Sequence, residues 1–391
     1  MKSIFPFLAF ILIFLGCSGG PTVDEKEQTQ LSVKKNSSTA TLERPKILFP
    51  NLPKTYLVKS KFVDLPNWEE ENYISALDAF IESCQSLQTQ KLYKNLCGKA
   101  MKTTNPKEFL QKEFKPYQIT QKDGEREGLL TGYYEPHING SLTKNEKYKY
   151  PIYGTPNDLI TVDLSSIYPN LKNYRLRGRI EGKKLVPYYT RKETKSKHLN
   201  ADVICYCDSK IDRFFLEIQG SGKVHLDNNE TMYIGFDNQN GHSYRAIGRY
   251  LVKIKELKAE EVSLQSIKKW LENHPERVDE VLNYNKSVVY FREKEDSASG
   301  ALGLTLTPKR SIAVDKRYIP LGSMLYLSAE HEDKKLNKVV MAQDTGGAIK
   351  GAVRADIFLG DTKEAEALAG ELKAPLKLWI LLPKNVEVSS L

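Results

Sequence analysis

The side chains best placed to do chemistry lie in a glycine-rich segment near the carboxyl end that carries two aspartates. Residues 343–351 read Gln-Asp-Thr-Gly-Gly-Ala-Ile-Lys-Gly, and Asp356 follows Asp344 by twelve positions. Glycines permit positive φ and let the backbone approach a ligand closely. Asp356 stands in an apolar, strand-like context, where burial and a second carboxylate both raise the pKa of a carboxyl group. Such an acid stays protonated near neutral pH and can donate its proton.

Both aspartates also have a structural interpretation. Asp-Thr-Gly-Gly is favourable turn chemistry, which accounts for Asp344 without any ligand. Asp356 could equally be a buried carboxylate that accepts hydrogen bonds from the backbone. The residues alone leave the two interpretations open.

Two other segments have a composition suited to binding sugars. Tyr133 and Tyr134 stand beside Gly and Pro at the end of a predicted strand. Their rings either stack on a sugar or fill a core, and composition alone favours the core. Residues 217–222, Glu-Ile-Gln-Gly-Ser-Gly, are predicted to end a Phe-rich strand. There Gln219 and Ser221 offer polar groups to sugar hydroxyls, or the segment is an ordinary turn.

Several common catalytic motifs are missing from the sequence. It has no G-x-S-x-G elbow, H-E-x-x-H motif, Walker P-loop or G-x-G-x-x-G loop, which excludes most hydrolase, metalloprotease and nucleotide-binding classes. The six histidines are scattered, and neither His225 nor His242 has a partner at metal-ligand spacing. The spacing of the aspartates does not match an EF-hand calcium loop. Carboxylates are what remain for catalysis.

The elements that must position these residues fall into regions of different period. Apolar residues recur at helical spacing over 68–87, which predicts a scaffold helix. From about 129 to 236, short runs rich in Tyr, Ile, Val and Phe predict a small antiparallel β domain. Helices are predicted after the candidate N-caps Ser243 and Ser263 and from Pro275.

Beyond residue 300 the pattern returns to strands and turns. Residues 324–328 and 339–342 flank a polar stretch and predict a hairpin. Asp361 is a candidate cap of a short helix. Residues 376–382 are almost continuously apolar, which predicts a buried strand.

Composition indicates a folded protein with room for two cores. The chain has 391 residues, of which 40% are hydrophobic and 27% charged. Lys and Arg outnumber Asp and Glu by 58 to 49, a formal charge of +9 that suits an acidic polymer or a membrane surface. Because basic and acidic residues are mixed along the chain, no dedicated nucleic-acid surface is predicted.

The N-terminus resembles a bacterial lipoprotein signal. Lys2 precedes a twelve-residue apolar run at 4–15 that is too short to span a bilayer. The run ends in Leu-Gly-Cys, so Cys17 is expected to be lipidated and to become the first mature residue; ordinary signal cleavage beside an incidental Cys is the alternative. Acyl chains anchor firmly, because each buried methylene adds about 0.8 kcal/mol. We expect residues 1–16 to be removed and 17–45 to be a flexible tether.

Four further cysteines form two pairs with different interpretations. Cys84 and Cys97, 13 positions apart near helical segments, either form a disulfide in an oxidising periplasm or stay as buried thiols. Cys205 and Cys207 alternate in Val-Ile-Cys-Tyr-Cys, which places both on one face of a strand. A strand core is favoured over zinc, because no second ligand pair accompanies them.

Taken in order, the motifs resemble those of the membrane-bound lytic murein transglycosylase A (MltA) family. The matching segments are Gly-Tyr-Tyr-Glu-Pro at 132–136, residues 177–188, Gln-Gly-Ser-Gly at 219–222, residues 300–308 and residues 344–351. The carboxyl-terminal part resembles the 3D domain, named for three aspartates, here Asp315, Asp344 and Asp356. The loop between the last two is one residue longer than in some members, so its contacts stay open.

This resemblance implies a mainly β fold with accessory helices. A double-psi β-barrel domain is expected at 46–136 plus 296–391, interrupted by a small inserted β-barrel domain with helices at 137–295. A groove for a long saccharide is expected between the two.

The resemblance also implies a reaction. The family cleaves the β-1,4 bond between N-acetylmuramic acid and N-acetylglucosamine in peptidoglycan without water, as a lyase, and leaves a 1,6-anhydromuramoyl end. Asp356 becomes the catalytic acid and then base, Asp344 and Asp315 support it, and no metal or cofactor is expected. The candidates for substrate binding are Tyr133, Tyr134, Gln219, Ser221, Gly346, Gly347 and Lys350.

The expected partners are peptidoglycan strands and, through Cys17, a membrane, with no nucleic acid. Ser18 after the lipidated Cys favours an outer-membrane lipoprotein that faces the periplasm of a Gram-negative type of cell. Two other functions stay open. A murein hydrolase would use Asp344 and water and leave reducing ends, and a noncatalytic lipoprotein would only bind peptidoglycan.

Overall fold

The computed structural model describes residues 43–45, 56–171, 174, 176–197, 199–295, 298–386 and 388–390. The predicted signal peptide (1–16), Cys17 and the predicted tether up to residue 42 lie outside the described residues. The last residues of that predicted tether, Glu43–Pro45, form a short strand instead. Among the helices that are described, none has the length and apolar character that crossing a bilayer requires.

Strands dominate the described part of the chain. In chain order they are β1 (Glu43–Pro45), β2 (Tyr56–Lys59), β3 (Phe114–Thr120), β4 (Gly128–Tyr133), β5 (His137–Ser141), β6 (Tyr150–Tyr153), β7 (Ile160–Thr161), β8 (Arg177–Glu181), β9 (Lys184–Pro187), β10 (Val203–Cys207), β11 (Ser221–Leu226), β12 (Thr231–Gln239), β13 (Val289–Lys294), β14 (Ser311–Val314), β15 (Met324–His331), β16 (Lys334–Asp344), β17 (Arg354–Phe358), β18 (Lys373–Pro383) and β19 (Val388–Ser390).

Helices flank the strands. They are α1 (Tyr73–Ser83), α2 (Leu87–Tyr93), α3 (Leu96–Ala100), α4 (Pro106–Glu113), α5 (Lys210–Gln219), α6 (Ile247–Lys253), α7 (Leu264–Asn273), α8 (Val278–Tyr284) and α9 (Lys363–Glu371).

Six strands close into a barrel. They pair in the order β15-β16-β14-β17-β4-β18, and β18 pairs back with β15. β14 is parallel to β16 and β17 is parallel to β4, whereas the other barrel neighbours are antiparallel. This closed barrel confirms the expected fold class. Strands β3, β2, β1 and β19 extend the sheet beyond β18.

Aliphatic side chains fill the barrel. The buried core includes Leu130, Ile312, Leu325, Val340 and Ile357. Successive side chains of a strand point to opposite faces. Thr131, Ala313 and Asp356, each next in sequence to a core residue, therefore lie on the outer wall.

Helices α1 to α4 cover one part of that outer wall, which we call the helix-covered face. Phe80, Phe114, Tyr326 and Trp379 pack together there. Beside them Glu71 and Arg310 form a buried ion pair at 2.9 Å. At the end of α1, Cys84 is bonded to Cys97 of α3, which settles the alternative that the sequence left open.

The strands between β4 and β14 form sheets of their own. One has the order β13-β12-β11-β5-β10-β6, and the other is β7-β8-β9. Cys205 and Cys207 are buried free thiols in β10, as predicted. This separation of strands supports the proposed boundaries of an inserted domain at 137–295.

One predicted strand is wrong. The Phe-rich segment 210–219 forms helix α5, capped by the Ser209 side chain. Phe214 and Phe215 pack on α6 to α8, whereas Leu216 packs on the sheet of β5 and β10 to β13. A helix places these neighbouring residues on two faces, which a run of adjacent apolar residues did not reveal.

Several predicted helix starts are also displaced. The segment from Trp68 begins with a 3-10 turn, and α1 starts at Tyr73 because the Asn72 side chain caps it. Ser263 caps α7 as predicted, whereas α6 begins after Ala246 and α8 after Arg277 instead of at Ser243 and Pro275.

Near the carboxyl end the predictions are closer to the structure. Thr362 caps α9 in place of Asp361, whose carboxylate instead pairs with Lys223. The predicted hairpin is β15–β16, and the predicted apolar strand is the buried part of β18. Both are confirmed.

Candidate active site

The register of the barrel strands aligns Asp344 and Asp356 across one outer face. Ala313 of β14 is paired with Asp344 of β16 on one side and with Asp356 of β17 on the other. Asp356 is in turn paired with Thr131 of β4, and Thr131 with Lys373 of β18. Side chains opposite one another on adjacent strands share a face. We call this row, Asp344-Ala313-Asp356-Thr131-Lys373, the aspartate row.

Asp356 forms no ion pair with the described residues. Its carboxyl group is half-buried, and Oδ1 accepts a hydrogen bond of 2.6 Å from the Thr131 hydroxyl. Within the part of the chain that the structure describes, that hydroxyl is its only hydrogen-bond donor. Burial raises the pKa of Asp356, against the opposing effects of the Thr131 hydrogen bond and the positive charge of Arg354. Asp356 is therefore suited to hold a proton and to give it up.

Asp344 is bound on both of its oxygens. Oδ1 accepts from the backbone N–H groups of Ala301 at 2.9 Å and Thr345 at 2.8 Å. Oδ2 accepts from the Tyr133 hydroxyl at 3.0 Å. Burial raises the pKa of Asp344 to about 6, although these donors oppose the rise. With each oxygen already occupied, Asp344 is placed to shape the site.

Asp315 is paired directly with an arginine. Its Oδ1 lies 2.9 Å from Nε of Arg317, and its Oδ2 accepts from the Gly351 N–H at 3.0 Å. Burial alone would raise its pKa, but these partners outweigh burial and hold the pKa of Asp315 below its usual range. Through Gly351 it also anchors the end of the glycine-rich loop.

An apolar cluster that includes Ala313 packs beside the two aspartates. Ala313, Tyr133 and Phe358 of the barrel pack with Ala298, Leu306 and Ile349. The last three come from the segment before β14 and from the glycine-rich loop between β16 and β17, which we call the two covering loops. At Gly300 an added Cβ would lie 2.3 Å from the carbonyl oxygen of Gln343, so only glycine allows this approach. The approach lets Ala301 reach Asp344. Burial raises the pKa of Tyr133 well above its ordinary value, so its hydroxyl remains a donor.

The aromatic candidates are buried. Tyr133 and Tyr134 are 9% and 3% exposed, and their hydroxyls donate to Asp344 and to Glu366, each at 3.0 Å. Gln219, the last residue of α5, accepts at Oε1 from the Tyr134 N–H at 3.2 Å. This contact joins β4 of the barrel to the inserted segment. Neither ring presents an open face in this arrangement.

The remaining candidates are more accessible. Ser221 begins β11 and is half-buried, directly after Gly220, whose φ of +83° ends α5. Gly346 is half-buried, whereas Gly347 and Lys350 are exposed on the glycine-rich loop. Each of these residues therefore has surface available to a ligand.

Sequence reasoning missed two residues of the site, Thr131 and Arg354. Arg354 Nη2 donates to the Thr131 hydroxyl oxygen at 2.8 Å, and that hydroxyl contacts Asp356. A Thr inside an apolar strand has no sequence signal of its own. Arg354, two positions before Asp356 and so on the same face of β17, was the available clue.

The residues that the structure describes contain no cluster of three or more His, Cys, Asp or Glu side chains suited to hold a metal ion. What the site offers instead is a partly accessible acid, Asp356. It lies two strands from a carboxylate, Asp344, that is fully hydrogen-bonded.

Comparison with known proteins identifies the family. The MltA specific insert domain matches residues 129–292, and the 3D domain matches residues 310–382. Membrane-bound lytic murein transglycosylase A of Escherichia coli K12 is 30% identical over 275 residues, 68% of each chain.

Two further relatives agree. The transglycosylase A homolog of Buchnera aphidicola (subsp. Schizaphis graminum) is 31% identical over 262 residues, and the match spans 64% of this chain and 65% of that protein, slightly under two thirds of its length. The crystal structure of MltA from Neisseria gonorrhoeae has a TM-score of 0.74 and 32% identity, covering 89% of this chain and 98% of that one. The chain therefore belongs to the membrane-bound lytic murein transglycosylase A family.

Proposed function

We propose that this chain, a lytic transglycosylase by family, cleaves peptidoglycan with Asp356 as its single acid and base. The observation that carries the assignment is the setting of Asp356. Its carboxyl group is partly accessible, its pKa is raised by burial, and no arginine or lysine pairs with it directly among the described residues. Of the three aspartates, only Asp356 combines an oxygen that accepts no hydrogen bond from the described residues with a tendency to stay protonated.

The first step needs an acid. Protonated Asp356 gives its proton to the glycosidic oxygen between N-acetylmuramic acid and N-acetylglucosamine while the bond from that oxygen to C1 breaks. The N-acetylglucosamine leaves with a free hydroxyl. Positive charge develops at C1 and the ring oxygen, and Asp356 becomes a carboxylate.

The second step needs a base. The Asp356 carboxylate takes the proton of the C6 hydroxyl while that oxygen bonds to C1, which forms the 1,6-anhydro ring and restores the acid. No water is consumed. An intramolecular hydroxyl held next to C1 has a high effective concentration, so a site that orients it favours ring closure over hydrolysis.

The other residues support this chemistry. We assign to Asp344 the role of holding the two covering loops and Tyr133 in place, through its contacts with Ala301 and Thr345. Asp315 holds Gly351 at the end of the glycine-rich loop. We propose that Ser221, Gly346, Gly347 and Lys350 contact the glycan directly, and that Tyr133, Tyr134 and Gln219 shape the groove from beneath.

The decisive experiment identifies the product. A soluble form that starts after Cys17 is incubated with purified peptidoglycan sacculi, and the released muropeptides are identified by mass spectrometry. Asp356→Asn keeps the shape of the side chain and removes the acid. Asp279→Asn, the same change at an exposed residue of α8, is the matched control. We expect anhydro ends from the wild type and from Asp279→Asn, and none from Asp356→Asn.

Other outcomes would redirect the assignment. Reducing ends from the wild type, lost in Asp344→Asn, would indicate a water-using hydrolase with Asp344 as the second carboxylate. No release by folded wild type would point to a binding protein. Anhydro ends from Asp356→Asn would remove Asp356 as the acid.

We also propose that Cys17 is lipidated and anchors the chain to the outer membrane, facing the periplasm. The support is the Leu-Gly-Cys sequence with its preceding apolar run, and Ser18 after the Cys. Full-length protein and a Cys17→Ala variant are expressed in a Gram-negative cell with labelled palmitate. Label and outer-membrane fractionation are expected for the wild type only. A labelled Cys17→Ala variant, or an unlabelled wild type, would contradict the anchor.

A further inference from the structure

We propose that Arg354 acts through Thr131 as a positioning residue that fixes which oxygen of Asp356 carries the catalytic proton. This inference rests on the proposed role of Asp356 as the acid and deepens it. Three groups in series carry it: the Arg354 guanidinium, the Thr131 hydroxyl and the Asp356 carboxyl group. We call this series the Arg-Thr-Asp relay.

The direction of the hydrogen bonds follows from the groups themselves. A guanidinium has only donors, so Arg354 Nη2, at 2.8 Å from Thr131 Oγ1, must donate to it. A threonine hydroxyl has a single hydrogen. Among the described residues the only acceptor within reach of that hydrogen is Asp356 Oδ1, 2.6 Å away, so Thr131 donates to it. The relay therefore has one orientation.

The guanidinium is itself held in place. Arg354 Nη1 donates to the carbonyl oxygen of Leu129 at 3.2 Å and to that of Ala355. Arg354 is paired with Leu129 across β17 and β4, two residue pairs from Asp356 and Thr131, and so lies on the same face of the sheet as Asp356. The same two strands thus fix all three members of the relay.

The Arg354 guanidinium contacts Asp356 only through the Thr131 hydroxyl among the described residues. Among the residues that the structure describes, Arg354 forms no ion pair with a carboxylate. It donates hydrogen bonds to two carbonyl oxygens and to the Thr131 hydroxyl. A direct pair, like that of Arg317 with Asp315, holds a carboxyl group in its ionised form. The intervening hydroxyl orients Asp356 without that consequence.

The relay assigns different roles to the two oxygens of Asp356. Oδ1 accepts the Thr131 hydrogen and so cannot carry the acid proton in the same place. The proton of the neutral acid therefore resides on Oδ2, the oxygen without a described donor. After transfer, the Thr131 bond strengthens because its acceptor is now charged. Oδ2 is then the oxygen that takes the proton of the C6 hydroxyl.

The test is the pH dependence of kcat/KM on a soluble glycan substrate. The titratable groups around Asp356 are Asp344, Tyr133 and Arg354, with Lys373 beyond Thr131 and Lys350 on the glycine-rich loop. Residues 298–307 of the covering loop contain no titratable side chain. Since the reaction starts from protonated Asp356, activity falls on the alkaline side as that proton is lost.

We compare Thr131→Val, which keeps the shape and removes the hydroxyl, with Thr131→Ser, which keeps the hydroxyl. Thr131→Val is expected to lower kcat about 10- to 100-fold, by analogy with the loss when a residue that orients a metal ligand is removed. KM should change little. The alkaline limb should move to higher pH, because the carboxylate loses a stabilising donor. Thr131→Ser should restore the wild-type profile.

Arg354→Gln, alone and with Thr131→Val, tests whether Arg354 acts through Thr131. Alone it should lower kcat and move the alkaline limb in the same direction. Added to Thr131→Val it should change kcat less than about twofold, because its route to Asp356 is already cut. Arg292→Gln, the same change at an arginine of β13 that is 65% exposed, is the matched control and should leave the limb in place.

The outcomes separate the relay from the proposed function. Full, multiplicative losses of kcat in the double variant, an unmoved alkaline limb in the Thr131→Val and Arg354→Gln variants, or an equal shift in Arg292→Gln would overturn the relay. Circular dichroism melting identifies variants that fail to fold, and the Thr131→Val and Thr131→Ser pair still decides if Arg354→Gln is among them. Loss of activity in Asp356→Asn together with normal profiles for the Thr131 and Arg354 variants would refute the relay alone.

Discussion

Buried carboxyl groups on two parts of the barrel wall have different partners: one is paired with an arginine, and the other accepts a hydrogen bond from a neutral hydroxyl. On the helix-covered face, Glu71 and Arg310 are 2% and 7% exposed and are paired at 2.9 Å. Arg310 also donates to the carbonyl oxygen of Val339 at 2.7 Å and to the Ser75 hydroxyl at 3.0 Å. In the aspartate row, Asp356 accepts a hydrogen bond from a single neutral hydroxyl among the described residues and is open to solvent in part.

The difference teaches what separates a structural carboxyl group from a reactive one in this fold. Both faces have apolar surroundings, so burial alone does not decide the role. A direct partner decides the role, because a guanidinium paired with a carboxyl group stabilises the ionised form of that group. Asp315, paired with Arg317, follows the pattern of Glu71 although it belongs to the same motif as Asp356. The motif thus contains both kinds of aspartate.

The largest expected effect separates activity from stability at Asp356. Asp356→Asn should lower kcat more than about thousandfold, equal to about 4 kcal/mol of barrier. In the wild type, burial raises the pKa of Asp356, so ionisation of this carboxyl group as pH rises destabilises the folded state. The variant should therefore be more stable than the wild type at pH 7. Muropeptide release and urea unfolding measure the two effects; a destabilised variant would show that Asp356 also holds the fold together.

The opposite result is expected on the helix-covered face. Arg310→Met leaves the Glu71 carboxylate buried without its partner, which typically costs about 3 kcal/mol. Activity per folded molecule should stay close to that of the wild type, because the pair lies on another face of the barrel. Urea unfolding at pH 7 measures the cost. A stable variant with low activity would break the comparison between the faces.

The disulfide on the same face gives a third measure. Cys84→Ser with Cys97→Ser opens a loop of 13 residues between α1 and α3, and we expect a loss of about 2 to 3 kcal/mol. The rate of anhydro-product release by the folded variant should be unchanged. A Cys205→Ser and Cys207→Ser variant is the control for changing buried thiols. It keeps the disulfide, so its unfolding should still respond to reductant, whereas that of the Cys84→Ser and Cys97→Ser variant should not.

How far the sequence predicted this arrangement depends on the range of the interaction. Asp344 and Asp356, the β15–β16 hairpin and the single face of Cys205 and Cys207 were accessible from local patterns and motif order. The α5 helix was not, because Phe214, Phe215 and Leu216 are adjacent apolar residues that suit a buried strand equally well. Only their separate partners, on α6 to α8 and on the neighbouring sheet, reveal a helix.

The site itself depends on strand register, which no local pattern contains. Ala313 lies between Asp344 and Asp356 because β14 is inserted between β16 and β17. Thr131 reaches Asp356 over 225 positions of sequence, through a parallel pairing. A one-residue slip of β4 would turn Thr131 into the barrel. Such contacts become visible only when the barrel closes.

The smallest expected effect tests the paired aspartate. Asp315→Asn should cost about 1 kcal/mol at pH 7, because Arg317 is 46% exposed and solvent weakens the pair. The lowered pKa of Asp315 contributes stability that is present above the ordinary carboxyl pKa near 4 and is lost as pH falls through the folded value. The gap between wild type and variant should therefore close in acid. For Asp356→Asn the sign is reversed, since its stabilising effect grows as pH rises. Urea unfolding from pH 3 to 8 measures both gaps, and parallel curves would refute the view that direct pairing distinguishes these two aspartates.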